Sequence, residues 1–329
     1  METFFESEIA MRNVSADDIV RLLDCQSFFD LLKLPFPTTR ISVLEKLQSE
    51  KIILKELDNY HITNLGGMLF AKNLKTFDSL ERKAMRVIVY DGNNKIKTKK
   101  DQFGAKGYAV GFTGLIDYIN DQLPTNEEIG KALRTTVKMY PELAIRELVA
   151  NALIHQDFGE RGTGPTVEIF SDRIEITNPG KPVIQTERFI DEYQSRNEKL
   201  ASLMRRMGIC EEKGSGIDKV IFEVEVFQLP APKFEEFEKH TKVTMYSFQK
   251  LNEMDRNDKI RACYQHCCLK YVSNEKMTNQ TLRDRFKIEQ HNYSIASRII
   301  ADTMKVGLIK DDDPENTSKK FAKYIPYWA

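Results

Sequence analysis

The sequence predicts an α+β protein, and three features of its 329 residues support that fold class. A middle region, residues 131–250, contains a strand, a long amphipathic helix, two short strands, two helices and a last strand. Residues 251–329 contain three helical segments and a charged hairpin. The region before them, residues 1–130, combines amphipathic helices with a β-branched strand at 84–90. We therefore predict three domains with these boundaries.

Composition narrows the class of protein. A hydrophobic fraction of 41% is sufficient for at least one sizeable core. Lys plus Arg equals Asp plus Glu at 49 each, so no overall field favours a nucleic acid or a membrane. The sequence has no long apolar run, and its five cysteines are an odd number. These features predict a cytoplasmic protein in a reducing compartment, without a membrane partner.

Hydrophobic periodicity and turn residues assign the individual elements. Residues 1 to about 75 are predicted to be mostly helical, and the strand at 84–90 ends in a turn at 91–94. The other predicted helices are 114–123, 142–157, 197–207, 216–227, 278–285 and 292–305, and the other predicted strands are 133–140, 166–170, 173–177 and 242–248.

The helix at 142–157 carries a polar stripe beside its apolar one. Glu147, Asn151 and His155 are spaced i, i+4 and i+8, so they rise along one face next to the buried side. This pattern is compatible with a ligand site, but polar residues at this spacing are more commonly a solvated helix face. His155 either senses a bound phosphate or packs near the helix end.

Two glycine segments follow this helix. Asn178-Pro179-Gly180 ends the hairpin, and Gly214-Ser215-Gly216 opens the helix at 216–227. Free backbone N–H groups and the positive dipole end make a helix start a suitable phosphate site. The same glycines are also compatible with a cap or a close-packing point.

Together these segments resemble the GHKL (histidine-kinase-like) ATPases, whose motifs are an N-box Glu-x-x-x-Asn-Ala and two glycine boxes. The resemblance implies a Bergerat-type α/β sandwich that binds ATP with Mg²⁺. Asn151 would ligate the Mg²⁺, and Glu147 would orient or deprotonate the attacking water.

The resemblance also assigns the glycine boxes. Gly180 would lie against the adenine pocket, Gly214, Ser215 and Gly216 would cover the phosphates, and Thr241 would contact the adenine. Asn178 departs from the family pattern, which has Asp. An Asn amide both accepts and donates, so the base preference is open, with ATP as first choice.

A resemblance over most of the chain is to bacterial transcriptional regulators that join a Schlafen AlbA-type module to a GHKL-like domain. Residues 62–72, 146–155 and 196–217 carry it. It implies that residues 1–130 are a remnant of the AlbA-type module, short at the N-terminus. The helicase description often given to such proteins has no support here, because the chain has no Gly-x-x-x-x-Gly-Lys-Ser/Thr loop.

The last region fits a winged helix-turn-helix. It contains fourteen Lys plus Arg against eleven Asp plus Glu, in a chain that is neutral overall. Its second helix would enter the major groove of duplex DNA, and its hairpin wing would meet phosphates. A protein-docking role is the alternative. The predicted DNA-binding residues are Asn292, Tyr293, Ser294, Ser297, Arg298, Lys319, Lys320 and Lys323.

One further cluster has metal-ligand residue types. Cys263, His266, Cys267 and Cys268 lie within one and a half turns of a predicted helix. Four ligands from a single helix cannot surround zinc tetrahedrally, so we predict packing rather than a metal site.

These expectations combine into one function. We predict a DNA-binding transcriptional regulator, a homo-oligomer, in which Mg-nucleotide orders a lid between Thr186 and Gly214 and so repositions the winged helix. Turnover of ATP, if any, would be slow. The alternatives are an ATPase of a DNA-processing or antiphage system and a nucleotide-free scaffold for protein partners.

Overall fold

A computed structural model describes residues 4–129, 134–210, 216–315 and 322–329. Its first part is a small three-stranded sheet with four helices. The elements are β1 (Ile9–Val14), α1 (Ala16–Leu22), α2 (Cys25–Leu31), α3 (Arg40–Ser49), β2 (Ile53–Glu56), β3 (Asn59–Thr63) and α4 (Asn64–Phe70).

The sheet corrects the prediction of a mostly helical start. Its strands are antiparallel in the order β1-β3-β2. The β2–β3 hairpin turns at Leu57, whose φ of +53° is the left-handed conformation that Gly or Asn usually supplies. Because Leu57 carries no such signal, the pattern of residues did not reveal the hairpin.

The second part contains a mixed sheet and the helices that cover it. Its elements are β4 (Arg86–Tyr90), β5 (Thr98–Phe103), α5 (Tyr108–Gln122), β6 (Thr125–Ile129), β7 (Arg134–Lys138), α6 (Glu142–Ile154), β8 (Thr166–Ile169), β9 (Arg173–Pro179), α7 (Glu198–Arg206), α8 (Gly216–Val226), β10 (Lys233–Glu236) and β11 (His240–Tyr246).

The six-stranded sheet has the order β10-β11-β9-β8-β4-β5. Neighbouring strands are antiparallel except β4 and β8, which run parallel. Since β4 and β5 precede residue 131, the sheet continues across the domain boundary predicted there. One hydrophobic core extends from Val14 to Met245, and α6 packs on β9 within it.

The third part is built from three helices and a two-stranded antiparallel sheet: α9 (Arg256–Val272), α10 (Asn279–Phe286), α11 (Tyr293–Lys305), β12 (Ile309–Asp311) and β13 (Tyr324–Pro326). A second hydrophobic core joins these elements, and it includes Ile190 and Ile221 from the second part. Within the described ranges, none of the helices combines the length and the apolar character that crossing a bilayer requires.

Helix α4 shows how closely the first part is packed. A side chain at Gly66 would overlap the backbone carbonyl of Ile52, to which the Thr63 hydroxyl also donates a hydrogen bond of 3.0 Å. Every residue of α4 is buried. The helix therefore fits its site only because Gly66 has no side chain.

We expect Gly66→Ala to lower the free energy of unfolding by about 1–3 kcal/mol or more, because the backbone of Ile52 has to move. Gly114→Ala is the matched control, since Gly114 lies in α5 with open space around its Cα, and it should be neutral or stabilising by roughly 0.5–1 kcal/mol. Urea unfolding of both variants checks this; equal costs would contradict the packing described.

Candidate functional site

A cleft lies against α6, the start of α8, and β9 and β11 of the large sheet. It encloses about 1050 Å³, its open mouth included. Six of the residues predicted from the sequence line it: Glu147, Asn151, His155, Asn178, Gly216 and Thr241.

The polar pair on α6 forms one wall. The Glu147 side chain is 1% exposed, and one oxygen accepts a hydrogen bond of 3.1 Å from Arg146 Nη1. Asn151 is half-buried, and its side-chain amide makes no hydrogen bond to a residue that the structure describes. Asn151 therefore presents an amide that is available to a ligand.

The start of α8 lies directly against this pair. A side chain at Gly216 would come within 3.1 Å of Glu147 Oε2 and 3.7 Å of Asn151 Nδ2. The helix beginning and the polar face of α6 are thus adjacent, as the two motifs require. Gly214 and Ser215 lie outside the described residues.

Gly180 is not among the residues that line the cleft, although its neighbours Asn178 and Lys181 are. Its φ is +93°, and a side chain there would overlap Asp157 Cβ and approach Arg196 Nη1 to 2.8 Å. The Thr241 hydroxyl donates a hydrogen bond of 2.9 Å to the Gly180 carbonyl. Thr241 thus lines the cleft and at the same time fixes the glycine segment.

Asn178 has a defined orientation. Its Nδ2 donates two long hydrogen bonds, of 3.4 Å to the His155 carbonyl and 3.5 Å to the Pro179 carbonyl. Among the described residues, its Oδ1 has no hydrogen-bond partner. The amide oxygen is therefore the group that remains free to accept.

His155 follows the last residue of α6, which ends at Ile154 and not at the predicted Asp157. Burial, together with the Arg196 guanidinium nearby, lowers the pKa of His155 from 6.5 to about 4. The imidazole is therefore neutral near pH 7.

Asp157, Arg196 and Asn197, for which the sequence predicted no role, connect the segments around the cleft. Arg196 forms an ion pair of 2.7 Å with Asp157 and donates a hydrogen bond of 3.0 Å to the Lys181 carbonyl. Asn197, which is 5% exposed, donates to the carbonyls of Ile154 at 2.7 Å and Gln156 at 2.8 Å. Arg196 and Asn197 begin the segment 196–217, which carries the family resemblance. That resemblance is the feature of the sequence that could have pointed to them.

The remaining wall is apolar. Residues 181–193, which we call the strap, contribute Pro182, Val183, Ile184 and Phe189 to the cleft. The Phe189 ring packs edge-on against Phe234 of β10, with 5.4 Å between ring centroids. The cleft is thus polar along α6, whereas the strap contributes mainly apolar side chains together with the charged Lys181 and Glu192.

The residues predicted to contact DNA lie on the third part, far along the chain from the cleft. Asn292, Tyr293, Ser294, Ser297 and Arg298 are exposed at the start of α11, and Lys323 is exposed just before β13.

One of these residues has an internal role. Ser297 Oγ accepts a hydrogen bond of 3.0 Å from Asn279 and donates to the Tyr293 carbonyl, so it connects α10 with α11. Lys319 and Lys320 lie outside the described residues.

The Cys/His cluster on α9 faces in different directions. His266 Nδ1 pairs with Glu225 of α8 at 3.0 Å, and Cys263 contacts the sulfur of Met277 at 3.9 Å. Burial raises the pKa of the Cys263 and Cys268 thiols to about 12. All five cysteines of the chain are free thiols.

A family model matches the middle of the chain. Residues 162–245 match the family model described as "Putative ATP-dependent DNA helicase recG C-terminal". The match covers both glycine segments and Thr241, and it begins after α6. This part of the chain therefore resembles an ATPase-like domain.

The chain also resembles the crystal structure of the DIP2311 protein from Corynebacterium diphtheriae. The TM-score is 0.58 at 16% identity, over 98% of this chain and 64% of that one. This likeness shows the fold, and the chain spans about two thirds of that protein's length. The comparison with curated proteins gave no match.

The neutral His155 makes stability depend on pH. Between pH 6.5 and pH 4 the unfolded chain binds a proton at His155, whose unfolded pKa is near 6.5, whereas the folded protein, in which its pKa is about 4, does not. We expect the free energy of unfolding to fall by roughly 1–3 kcal/mol between pH 7 and pH 4, relative to His155→Gln. Urea titrations of both proteins measure it; identical pH dependence would show that His155 is not held neutral.

Proposed function

We propose that the protein binds ATP with Mg²⁺ in the cleft and binds duplex DNA through its third part, as a nucleotide-gated transcriptional regulator. The observation that supports the nucleotide site best is the position of Gly216, directly against Glu147 and Asn151. In the GHKL-like arrangement these groups surround the phosphates, and the two faces of the cleft suit a nucleotide: phosphates at the polar wall, base and sugar at the strap.

The charges around the cleft favour a metal-bound nucleotide. Its charged lining residues are Glu147, Lys181, Glu192 and Arg196. Among the described lining residues, Arg196 is paired with Asp157 and Lys181 lies 3.5 Å from Glu236, so both of these cations already have acidic partners. Mg²⁺ prefers oxygen ligands and keeps several waters. The available Asn151 amide fits this role.

Asn151 and Glu147 would then have different roles. Asn151 would hold the metal, which supplies charge compensation for the phosphates when bound. Glu147, buried beside Gly216, would orient or deprotonate a water if hydrolysis occurs. Burial of a carboxylate in such a cleft is compatible with a slow ATPase.

The orientation of Asn178 supports adenine. Its Nδ2 makes two long contacts with backbone carbonyls, and in this orientation Oδ1 would accept from an exocyclic amine, as an Asp would. Guanine presents a carbonyl oxygen at the corresponding position and would not be complemented. The substitution of Asp by Asn is therefore consistent with ATP.

The third part supports the DNA proposal by its order of elements. The helices α9, α10 and α11 are followed by the β12–β13 hairpin, as in a winged helix. The exposed start of α11 offers Asn292 and Arg298 to base edges, and Lys323 lies beside the hairpin. A motor function is not proposed, because the chain has no Walker-type loop.

The first test is calorimetric titration of the full chain with ATP and Mg²⁺. We expect saturable heat for the wild type, loss of at least tenfold in affinity for Asn151→Ala, and weaker binding when EDTA replaces Mg²⁺. Glu147→Gln should bind ATP but release no phosphate.

Asn120→Ala, the same change on α5 outside the cleft, is the control and should bind like the wild type. Absence of heat with any nucleotide at protein concentrations of about 100 μM would favour a nucleotide-free scaffold.

The second test measures duplex DNA binding as a function of salt. Lys323→Ala should weaken binding to all sequences alike and lower the slope of log K against log salt by about one unit. Arg298→Ala should instead relax the preference at one or two base pairs, worth about 1–3 kcal/mol each. Lys75→Ala, exposed in the first part, is the control. If the chain binds no duplex at low salt, the third part is a protein-docking module.

A further inference from the structure

The strap contacts two different parts of the molecule. Pro182, Val183 and Ile184 line the cleft, and so do Phe189 and Tyr193. Between these positions, residues 186–188 form a single turn whose other side meets α9 and the end of the chain. Any group that orders the strap from the cleft side therefore acts on a segment that also touches the third part.

The contacts on the far side form a short chain of side chains. Tyr264 of α9 donates a hydrogen bond of 2.8 Å to the Glu187 carbonyl. Trp328 Nε1 donates one of 3.1 Å to the Tyr264 hydroxyl. The Arg188 guanidinium lies over the Trp328 ring, 4.8 Å from its centroid. The strap thereby contacts the third part at two places, helix α9 and the C-terminal segment that carries Trp328.

A second connection holds the same two parts together independently. Glu225 of α8 pairs with His266 at 3.0 Å and with Arg285 at 3.3 Å, and Arg285 also donates to the Leu229 carbonyl at 2.7 Å. The Arg285 side chain is 2% exposed. This buried anchor keeps the third part attached to α8 when the strap contact is altered, so the strap contact can be removed separately.

The two cavities on either side of the strap share a wall. Phe189, Ile217 and Phe234 line the cleft, and they also line a second cavity formed by α8, α9 and the strap. Tyr264 and Cys268 of α9 lie on that second cavity. A change in the position of Phe189 therefore alters the shape of both cavities.

We propose that the strap transmits nucleotide occupancy to the third part through Glu187, Arg188, Tyr264 and Trp328. The proposal rests on the proposed nucleotide site. A ligand in the cleft packs on the cleft-facing strap residues and reduces the strap's motion. The conformational entropy lost on binding is smaller when Tyr264 and Trp328 already hold the other side of the strap. The bound state then has a firmer contact between the strap and Trp328.

Trp328 reports on this contact directly, because it is the single tryptophan of the chain and is half-buried. The experiment is acrylamide quenching of its fluorescence in the full chain, with and without Mg²⁺ and a non-hydrolysable ATP analogue. We expect the quenching constant to fall at least twofold, with a midpoint equal to the calorimetric Kd of the same analogue.

The variant Tyr264→Phe removes the hydroxyl that links Glu187 to Trp328 and keeps the fluorophore. It should bind the analogue within threefold of the wild-type Kd and lose the nucleotide-dependent change in quenching. Tyr324→Phe is the matched control: it makes the same change in β13, away from the strap, and should respond like the wild type.

The outcomes separate the two proposals. Heat of binding without any change in Trp328 quenching overturns transmission through the strap and leaves the nucleotide site standing. A wild-type response in Tyr264→Phe also overturns it. Neither heat nor a change in quenching overturns both. Equal loss of response in Tyr324→Phe assigns the effect to the core of the third part and again contradicts the proposal.

Discussion

The carboxyl end of α6 depends on side-chain amides for its hydrogen bonds. Backbone carbonyls at a helix end lack partners within the helix, and when buried they must be satisfied elsewhere. Asn197 donates to the carbonyl of Ile154, the last residue of α6, and to that of Gln156 just beyond the helix, and Asn178 makes a long hydrogen bond to that of His155 between them. These contacts fix α6 relative to β9 and to the chain that follows the strap. The positions of Glu147 and Asn151 depend on that attachment.

Close packing and an ion pair occur side by side next to the cleft. Gly180 is required where β9 passes Asp157, and the Asp157–Arg196 ion pair lies beside it. Arg196 is paired with Asp157 and His155 is neutral, so Glu147, Lys181 and Glu192 are the other charged side chains among the described residues that line the cleft.

The local features of the site were predictable, and the tertiary ones were not. The i, i+4 spacing of Glu147 and Asn151 follows from helix geometry, and the order of the glycine segments is visible in the chain. Asp157, Gly180 and Arg196 meet only after folding, and no spacing relates them. The β2–β3 hairpin was not predicted because Leu57 occupies its turn, and β5 was not predicted either. The pairing of β4 with β8 across residue 131 could not be predicted, because strand pairing over long distances along the chain leaves no local signal.

The parallel pairing of β4 with β8 has a consequence for dissecting this chain. A fragment that begins at residue 131 lacks β4 and β5, so β8 becomes an edge strand with unpaired N–H and C=O groups. Val167 and Ile169 lie on that strand and are buried in the intact protein. Such a fragment would expose a template for intermolecular β-pairing and aggregate, whereas a fragment that keeps residues from 84 onward retains the whole sheet.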